Sequence, residues 1–193
     1  THLAAFSTIV TGYWLWFAVT PPTEMPQGAN VAWLEPSDMF GGFFAHWNPH
    51  NNPAAAFDRW FLNLFPGAKP YVSGNGGYQT LNFVPSLATM ILGLMTGNLL
   101  RGARSPSQKL RGMLIAAAFC LALGFIAGAT VCPVVKRIWT PSWVLWSAGW
   151  VFLMLAFFYF VIDVKGRQKW ALPLTVVGMN SILVYLGFQL SSG

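Results

Sequence analysis

Apolar residues along this chain fall into five runs, Leu3–Val19, Leu81–Leu100, Met113–Val135, Trp143–Val164 and Leu172–Leu190. Each is long enough, or nearly so, to cross a hydrocarbon core that needs about 20 residues of helix. The pattern predicts an all-α polytopic transmembrane bundle with about five spans, forming one membrane domain over residues 1–193. Residues 20–80 interrupt it. They hold eight of the thirteen prolines and too many polar positions to span a membrane. Inside that segment, "NNPAAAFDRWFLNLFPG" carries helix punctuation: Asn52 as N-cap, Pro53 at the first helical position and Pro66-Gly67 as the stop. Phe57, Trp60, Phe61, Leu64 and Phe65 recur at helical spacing, with Asp58, Arg59 and Asn63 elsewhere on the wheel. This predicts a short amphipathic helix that either lies on the outer membrane surface or caps the bundle.

The fifth run has an unusual centre. On a wheel, Leu172, Met179, Ile182, Leu183, Leu186 and Leu190 occupy one arc, and Gly178, Asn180, Ser181, Tyr185, Gly187 and Gln189 the other half. An unpaired amide in hydrocarbon is costly, so the polar half is expected to face the bundle. There it acts either as hydrogen-bonding glue between helices or as the wall of a polar cavity. Asp163, the one acid within or at the end of a span, either pairs with Lys165 or Arg167 at the interface or faces a cavity. Pro85 and Pro133 are expected to kink or end the second and third spans. The small-residue pairs Gly93/Gly97 and Gly124/Gly128 are packing faces, and they suggest that the second and third spans lie close together.

Charge sets the orientation. The connection 101–111, "RGARSPSQKLR", carries Arg101, Arg104, Lys109 and Arg111 without an acid, and residues 165–169 carry Lys165, Arg167 and Lys169. The positive-inside rule puts both on the cytoplasmic side and residues 20–80 outside, with Lys136 and Arg137 a mild exception. Trp14, Trp16, Trp139, Trp143 and Trp170 sit where interfacial aromatic belts belong. Overall the chain is 55% hydrophobic and 8% charged, with net charge +6. A soluble domain carries about 25% charged residues. Basic residues confined to the ends of apolar runs point to membrane topology and not to nucleic acid. His46 and His50 are four apart, but Pro49 lies between them and a third ligand is missing, so no metal is expected. "VSGNGGYQ" reads as a Gly/Asn turn, without the Lys of a phosphate loop. Cys120 and Cys132 on one helix lie about 18 Å apart, too far to pair. The chain opens on "THLAAF", without Met or a signal pattern, and reads as an internal or C-terminal portion of a longer protein.

The C-terminal third carries longer motifs. "CPVVKRIWTPSWVLWSAG" followed by "YFVIDVKGRQKWALPLTVVGMNSILVYLG" resembles the closing part of the heparan-α-glucosaminide N-acetyltransferase family and its bacterial relatives. The matching positions are Pro133, Lys136, Trp139, Thr140, Ser142, Asp163, Gly166, Trp170, Pro173, Gly178, Asn180, Ser181 and Tyr185. "FDRWFLN" and "LNFVPSLATMILGLMTGNLLR" resemble the family more loosely, and the segment before Phe57 looks like a variant insertion. The resemblance implies a bacterial inner-membrane acyltransferase that takes an acetyl or other acyl group from cytoplasmic acyl-CoA to an extracytoplasmic sugar amine or hydroxyl. It further implies a cavity contributed to by Asn180, Ser181, Tyr185, Asp163, Lys136 and Trp139. The family's proposed catalytic His belongs to an early-span motif that this chain does not contain, and neither His46 nor His50 matches it. This chain is then the later half of the bundle, inactive alone. Its partners are the bilayer, a sugar or glycan acceptor, the missing N-terminal spans and, compatibly, further copies of itself. The alternative is a non-catalytic carrier or assembly subunit with a polar intramembrane seam.

Overall fold

The computed structural model describes residues 1–29, 39–65, 67 and 69–191. Pro66, used above as helix punctuation, lies outside them. The elements are helical: α1 (His2–Val19), α2 (Pro53–Leu62), α3 (Phe83–Arg101), α4 (Pro106–Thr130), α5 (Pro141–Phe158), α6 (Leu172–Met179) and α7 (Ser181–Ser191). Among the described residues, four helical stretches are long and apolar enough to cross a membrane: His2–Val19, Thr80–Arg101, Pro106–Thr130 and Pro141–Val164. With their lipid-length apolar surfaces they make this an integral membrane protein built as a helical bundle.

Most span boundaries follow the apolar runs, with one instructive shift. The third span begins at Pro106, inside the basic stretch expected to be loop. Ser105 and Gln108 form a capping box, with Gln108 N–H donating to Ser105 Oγ at 3.3 Å and Ser105 N–H to Gln108 Oε1 at 3.1 Å. Pro106 takes the first helical position, where its missing N–H costs nothing. The connection thus shrinks to Gly102–Ser105. Lys109, a turn into α4, donates from Nζ to Leu100 O at 2.6 Å and satisfies an orphan carbonyl at the end of α3. At its other end α4 stops at Thr130, so Pro133 and Cys132 lie beyond it in the turn to α5. Pro85 sits in the first turn of α3, where it breaks no hydrogen bond, so no kink arises there.

The packing order differs from the expectation that the second and third spans pair closely. α4 and α5 make the tightest contact, α1 packs on α3, and α3 also meets α5, while α3 and α4 touch only lightly. A Cβ on Gly124 would fall 2.7 Å from the backbone nitrogen of Trp146, and one on Gly149 would fall 2.5 Å from Leu121 Cγ. Gly124 therefore admits α5, while a Cβ on Gly128 would fall 2.6 Å from Val134 Cγ2 in the turn that follows α4. Gly93 and Gly97 of α3 have nothing within 4 Å of a built Cβ. A small-xxx-small pattern marks a close-approach face without naming its partner.

The fifth span is corrected most. It is two helices, α6 and α7, meeting at Asn180 (φ −114°, ψ 28°). Asn180 Nδ2 donates to Val176 O at 2.9 Å, and the Asn180 N–H bonds the same carbonyl at 3.1 Å. An amide side chain that competes for its own helix's carbonyl ends that helix. Neither α6 nor α7 packs extensively on α1–α5, and Met179, Ile182, Tyr185 and Leu190 are all well over half exposed.

Candidate functional site

Two regions of the bundle carry polar chemistry, at opposite ends of the spans. At the loop end, the turn 131–140 is stitched to its neighbours. Thr140 caps α5 by accepting from Trp143 N–H at 3.3 Å, and it also accepts from Val135 N–H at 3.0 Å. Ser142, fully buried, donates to Pro133 O at 2.8 Å and lies 3.1 Å from Thr140 Oγ1. Arg137 donates from Nη1 to Gly76 O at 2.8 Å, and Asn82 Nδ2 donates to Arg137 O at 2.7 Å. That gives the exceptional outer cation a structural reason: it fastens the α4–α5 turn to the loop before α3. Gly76 and Gly77 take φ of 69° and 73°, a left-handed turn that glycine adopts without strain.

The same end gathers a buried polar cluster that the sequence pattern did not reveal. Asp58 is 2% exposed and accepts from Thr80 N–H at 3.0 Å. Asn52 caps α2 by accepting from Ala55 N–H at 3.0 Å, accepts from Gln79 Nε2 at 2.9 Å and donates to Asn48 O at 2.7 Å. Arg59 donates to His50 O at 2.7 Å and to Thr23 Oγ1 at 3.1 Å. Tyr71 borders the cluster. Its burial and the nearby Asp58 raise its pKa, against a lowering by Arg59. The two histidines are separated in role. His46 Nδ1 donates to Phe17 O and Thr20 O, at 2.9 and 2.8 Å, closing the C-terminus of α1. His50 is buried with φ 68°. Among the described residues, Trp139 is the other non-glycine residue with positive φ, at 51°. Such backbone costs about 1–3 kcal/mol per residue and concentrates at functional sites. Both residues lie at the loop end. The Cys132 thiol is also there, and burial pushes it up to about 11 against hydrogen bonds from Ser142 and Thr140.

Between the two ends runs a gap. α1, α3, α4 and α5 line a half-open groove of about 700 Å³ bordered by Phe6, Leu92, Met95, Met113, Ala116 and Phe119 among others, with Arg104 at its basic end. A second cavity, of about 260 Å³, shares Val10, Thr11 and Leu145 with the first and reaches Trp14, Cys132 and Ser142 at the loop end. Together they trace a nearly continuous apolar path along α1 from the basic end to the loop end. Trp14 Nε1 donates to Val131 O at 3.0 Å, bridging α1 to the end of α4 across that path's outer mouth. Sequence reasoning treated Trp14 only as an interfacial aromatic. Nothing in its spacing signalled the bridge, because Val131 is 117 residues away.

The six residues expected to share one cavity are spread over three places. Trp139, half-buried, sits in the loop-end turn with its indole N–H 3.5 Å from Thr89 Oγ1, and Lys136 beside it is exposed. Asp163 lies at the basic end, exposed, in the π-helical turn Tyr159–Val164. Lys165 sets its ammonium 5.4 Å from the Phe160 ring centroid. Asn180, Ser181 and Tyr185 belong to the α6–α7 joint. Tyr185 accepts from Gln189 Nε2 at 2.8 Å, one turn along the same helix. Asn180 bonds the carbonyl of Val176 in α6, Tyr185 accepts from Gln189 within α7, and Asn180, Ser181 and Tyr185 are not among the residues bordering the path.

Comparison with known proteins places the chain. Over 191 residues it is 28% identical to heparan-alpha-glucosaminide N-acetyltransferase of Homo sapiens, and over 200 residues 31% identical to that of Mus musculus. These alignments take in 91% and 94% of this chain, but only 28% and 29% of the relatives, so the chain spans less than a third of their length. No family model and no solved structure matches it. A membrane helix bundle with similarity along nine-tenths of its length, this chain is a distant relative of the heparan-alpha-glucosaminide N-acetyltransferases.

Proposed function

We propose that this chain forms the later half of an integral membrane acyltransferase. The enzyme moves an acetyl or other acyl group from acyl-CoA on the basic, cytoplasmic side to a sugar amine or hydroxyl on the loop side, in a bacterial inner membrane. The observation that carries this reading is the path between α1 and α4, with Arg104 at its basic rim and the Cys132–Ser142 turn at its far end. The relatives' name supplies the reaction class. A thioester enters with its acyl group leading, while CoA phosphates remain at Arg104, Arg101 and Arg111, where a guanidinium pairs well with phosphate.

At the loop end the acceptor nitrogen or oxygen attacks the thioester carbonyl. The new C–N or C–O bond forms, the C–S bond breaks, and a general base takes the acceptor's proton and passes it to the departing CoA sulfur, which leaves as the thiol. The base is expected from spans outside this chain. Trp139 and Lys136 belong to the same loop-end turn as Cys132, on the side where the sugar arrives. The exposed polar edge of Asn180, Ser181 and Tyr185 is available to complete the cavity with those further spans, and Asp163 lies at the same, basic end of the bundle as Arg104. Replacing Arg104 by Glu in the full-length protein is expected to raise KM for acetyl-CoA about tenfold or more, with kcat for transfer to glucosamine largely kept. If membranes of the full-length protein bind glucosamine yet never acetylate it, the carrier alternative replaces this reading.

A further inference from the structure

α2 sorts its side chains into three sectors, and only two of them are accounted for by the fold. The buried sector is small and polar. Ala54 packs against Tyr13, Phe17, Trp47, Cys132 and Ile138 at the loop ends of α1 and the α4–α5 turn, and Asp58 accepts from the Thr80 N–H at the entrance to α3. The polar sector carries Arg59 and Asn63, bonded to the loop residues His50, Thr23 and Tyr71. The third sector is aromatic. Phe57 stacks on Phe61 with centroids 5.5 Å apart, Trp60 joins Phe57 at 5.6 Å and Phe65 meets Phe61 at 5.4 Å. Trp60 on the helix, and Leu64 and Phe65 in the turn just past its end, remain 61%, 59% and 59% exposed. This inverts the simple expectation for an amphipathic helix on a protein, in which the aromatic face is the one that packs.

We infer that this aromatic flank of α2 is seated in the lipid of the leaflet on the loop side. Four features favour lipid. α2 lies at the loop ends of the spans, so its exposed aromatics stand at the level where those helices leave the membrane. The opposite flank is held by aqueous loops, which fixes which way the helix faces. The aromatic flank offers no hydrogen-bonding group beyond the Trp60 indole, whereas a sugar needs several placed polar partners. Its exposed area, roughly 500 Å² from the size of such side chains, falls short of the about 800 Å² per partner of a stable protein interface. A Trp with Phe and Leu on one flank and Arg and Asn on another is the composition of an in-plane interfacial helix. The consequence reaches the site. Asp58 ties the same helix to the start of α3, so contact with lipid sets the height of the loop-end cluster relative to the membrane surface.

Nitroxide labels at Leu64→Cys and Trp60→Cys, introduced one at a time into the full-length protein in phosphatidylcholine nanodiscs, test this. Gln27→Cys in the exposed loop after α1 provides the water reference, and Cys120 and Cys132 are buried from the label. Collision with oxygen relative to a soluble nickel chelate is expected to be several-fold higher at residues 60 and 64 than at residue 27. Equal nickel access at all three would overturn the inference in favour of a water- or sugar-facing platform. Exclusion of both reagents at 60 and 64 would overturn it in favour of a protein partner.

Discussion

The turn between α4 and α5 and the joint between α6 and α7 both set polar side chains beside apolar helices, yet they do opposite things. In the turn, Ser142 reaches back to Pro133 O, Arg137 to Gly76 O and Asn82 to Arg137 O. These bonds join segments up to 61 residues apart. At the joint, Asn180 bonds the carbonyl four residues earlier and Gln189 the hydroxyl four residues earlier. Long-range bonds make a rigid corner. Local bonds end one helix, start another and add nothing to tertiary order. A polar residue in a membrane helix is thus ambiguous until its partner is known, because either outcome satisfies the demand that no polar group be left bare in lipid.

The sharpest break in this contrast comes from glycine. Gly124→Leu is expected to destabilise the fold by about 3 kcal/mol, since the added side chain meets the Trp146 backbone. Gly93→Leu, with open space at its Cβ, should change little. Denaturant titration of helicity in micelles measures both. Ser142→Ala should cost about 1–2 kcal/mol by leaving the Pro133 carbonyl buried without its donor. Asn180→Leu should stay within about 0.5 kcal/mol of the parent, because its bond is local and exposed. A loss at Asn180 as large as that at Ser142 would erase the distinction between corner and joint.

The Cys132 thiol sharpens the corner further. It titrates near 11 in the fold against an ordinary 9.0. The unfolded chain therefore gives up this proton first, so stability is full below about pH 9 and falls as pH rises toward 11, by roughly 1 kcal/mol at pH 10. Cys132→Ser should flatten that alkaline slope in thermal melts taken from pH 8 to 10.5. The smallest effect belongs to the basic end. Lys109→Ala removes one capping bond from α3 and should lower stability by about 0.5 kcal/mol, seen as faster amide exchange confined to Asn98–Arg101.

Four spans were legible because a bilayer demands a run of apolar residues and their lengths are unmistakable. The start of α4 was not read, because Lys109 and Arg111 suggested loop while Ser105, Pro106 and Gln108 were already spelling a cap. The helix α2 and its Asn52 cap were legible, but not its orientation. The aromatic spacing left a surface-lying helix and a bundle cap both open, and the partners that Asp58 and Asn52 find at Thr80 and Gln79 turn the small polar face inward. The path between α1 and α4 was invisible, because it depends on which glycine pair meets which helix. Asn180 was noticed for the right reason, its polarity at depth, but one turn of helix was enough to satisfy it.

Sealed vesicles of the full-length protein test the central claim most directly. Labelled acetyl-CoA is supplied on the side of residues 101–111 and glucosamine on the side of residues 20–80, and then the two are exchanged. The account predicts labelled N-acetylglucosamine only in the first arrangement, accumulating on the loop side. Labelling in the exchanged arrangement, or none in either arrangement, would contradict it.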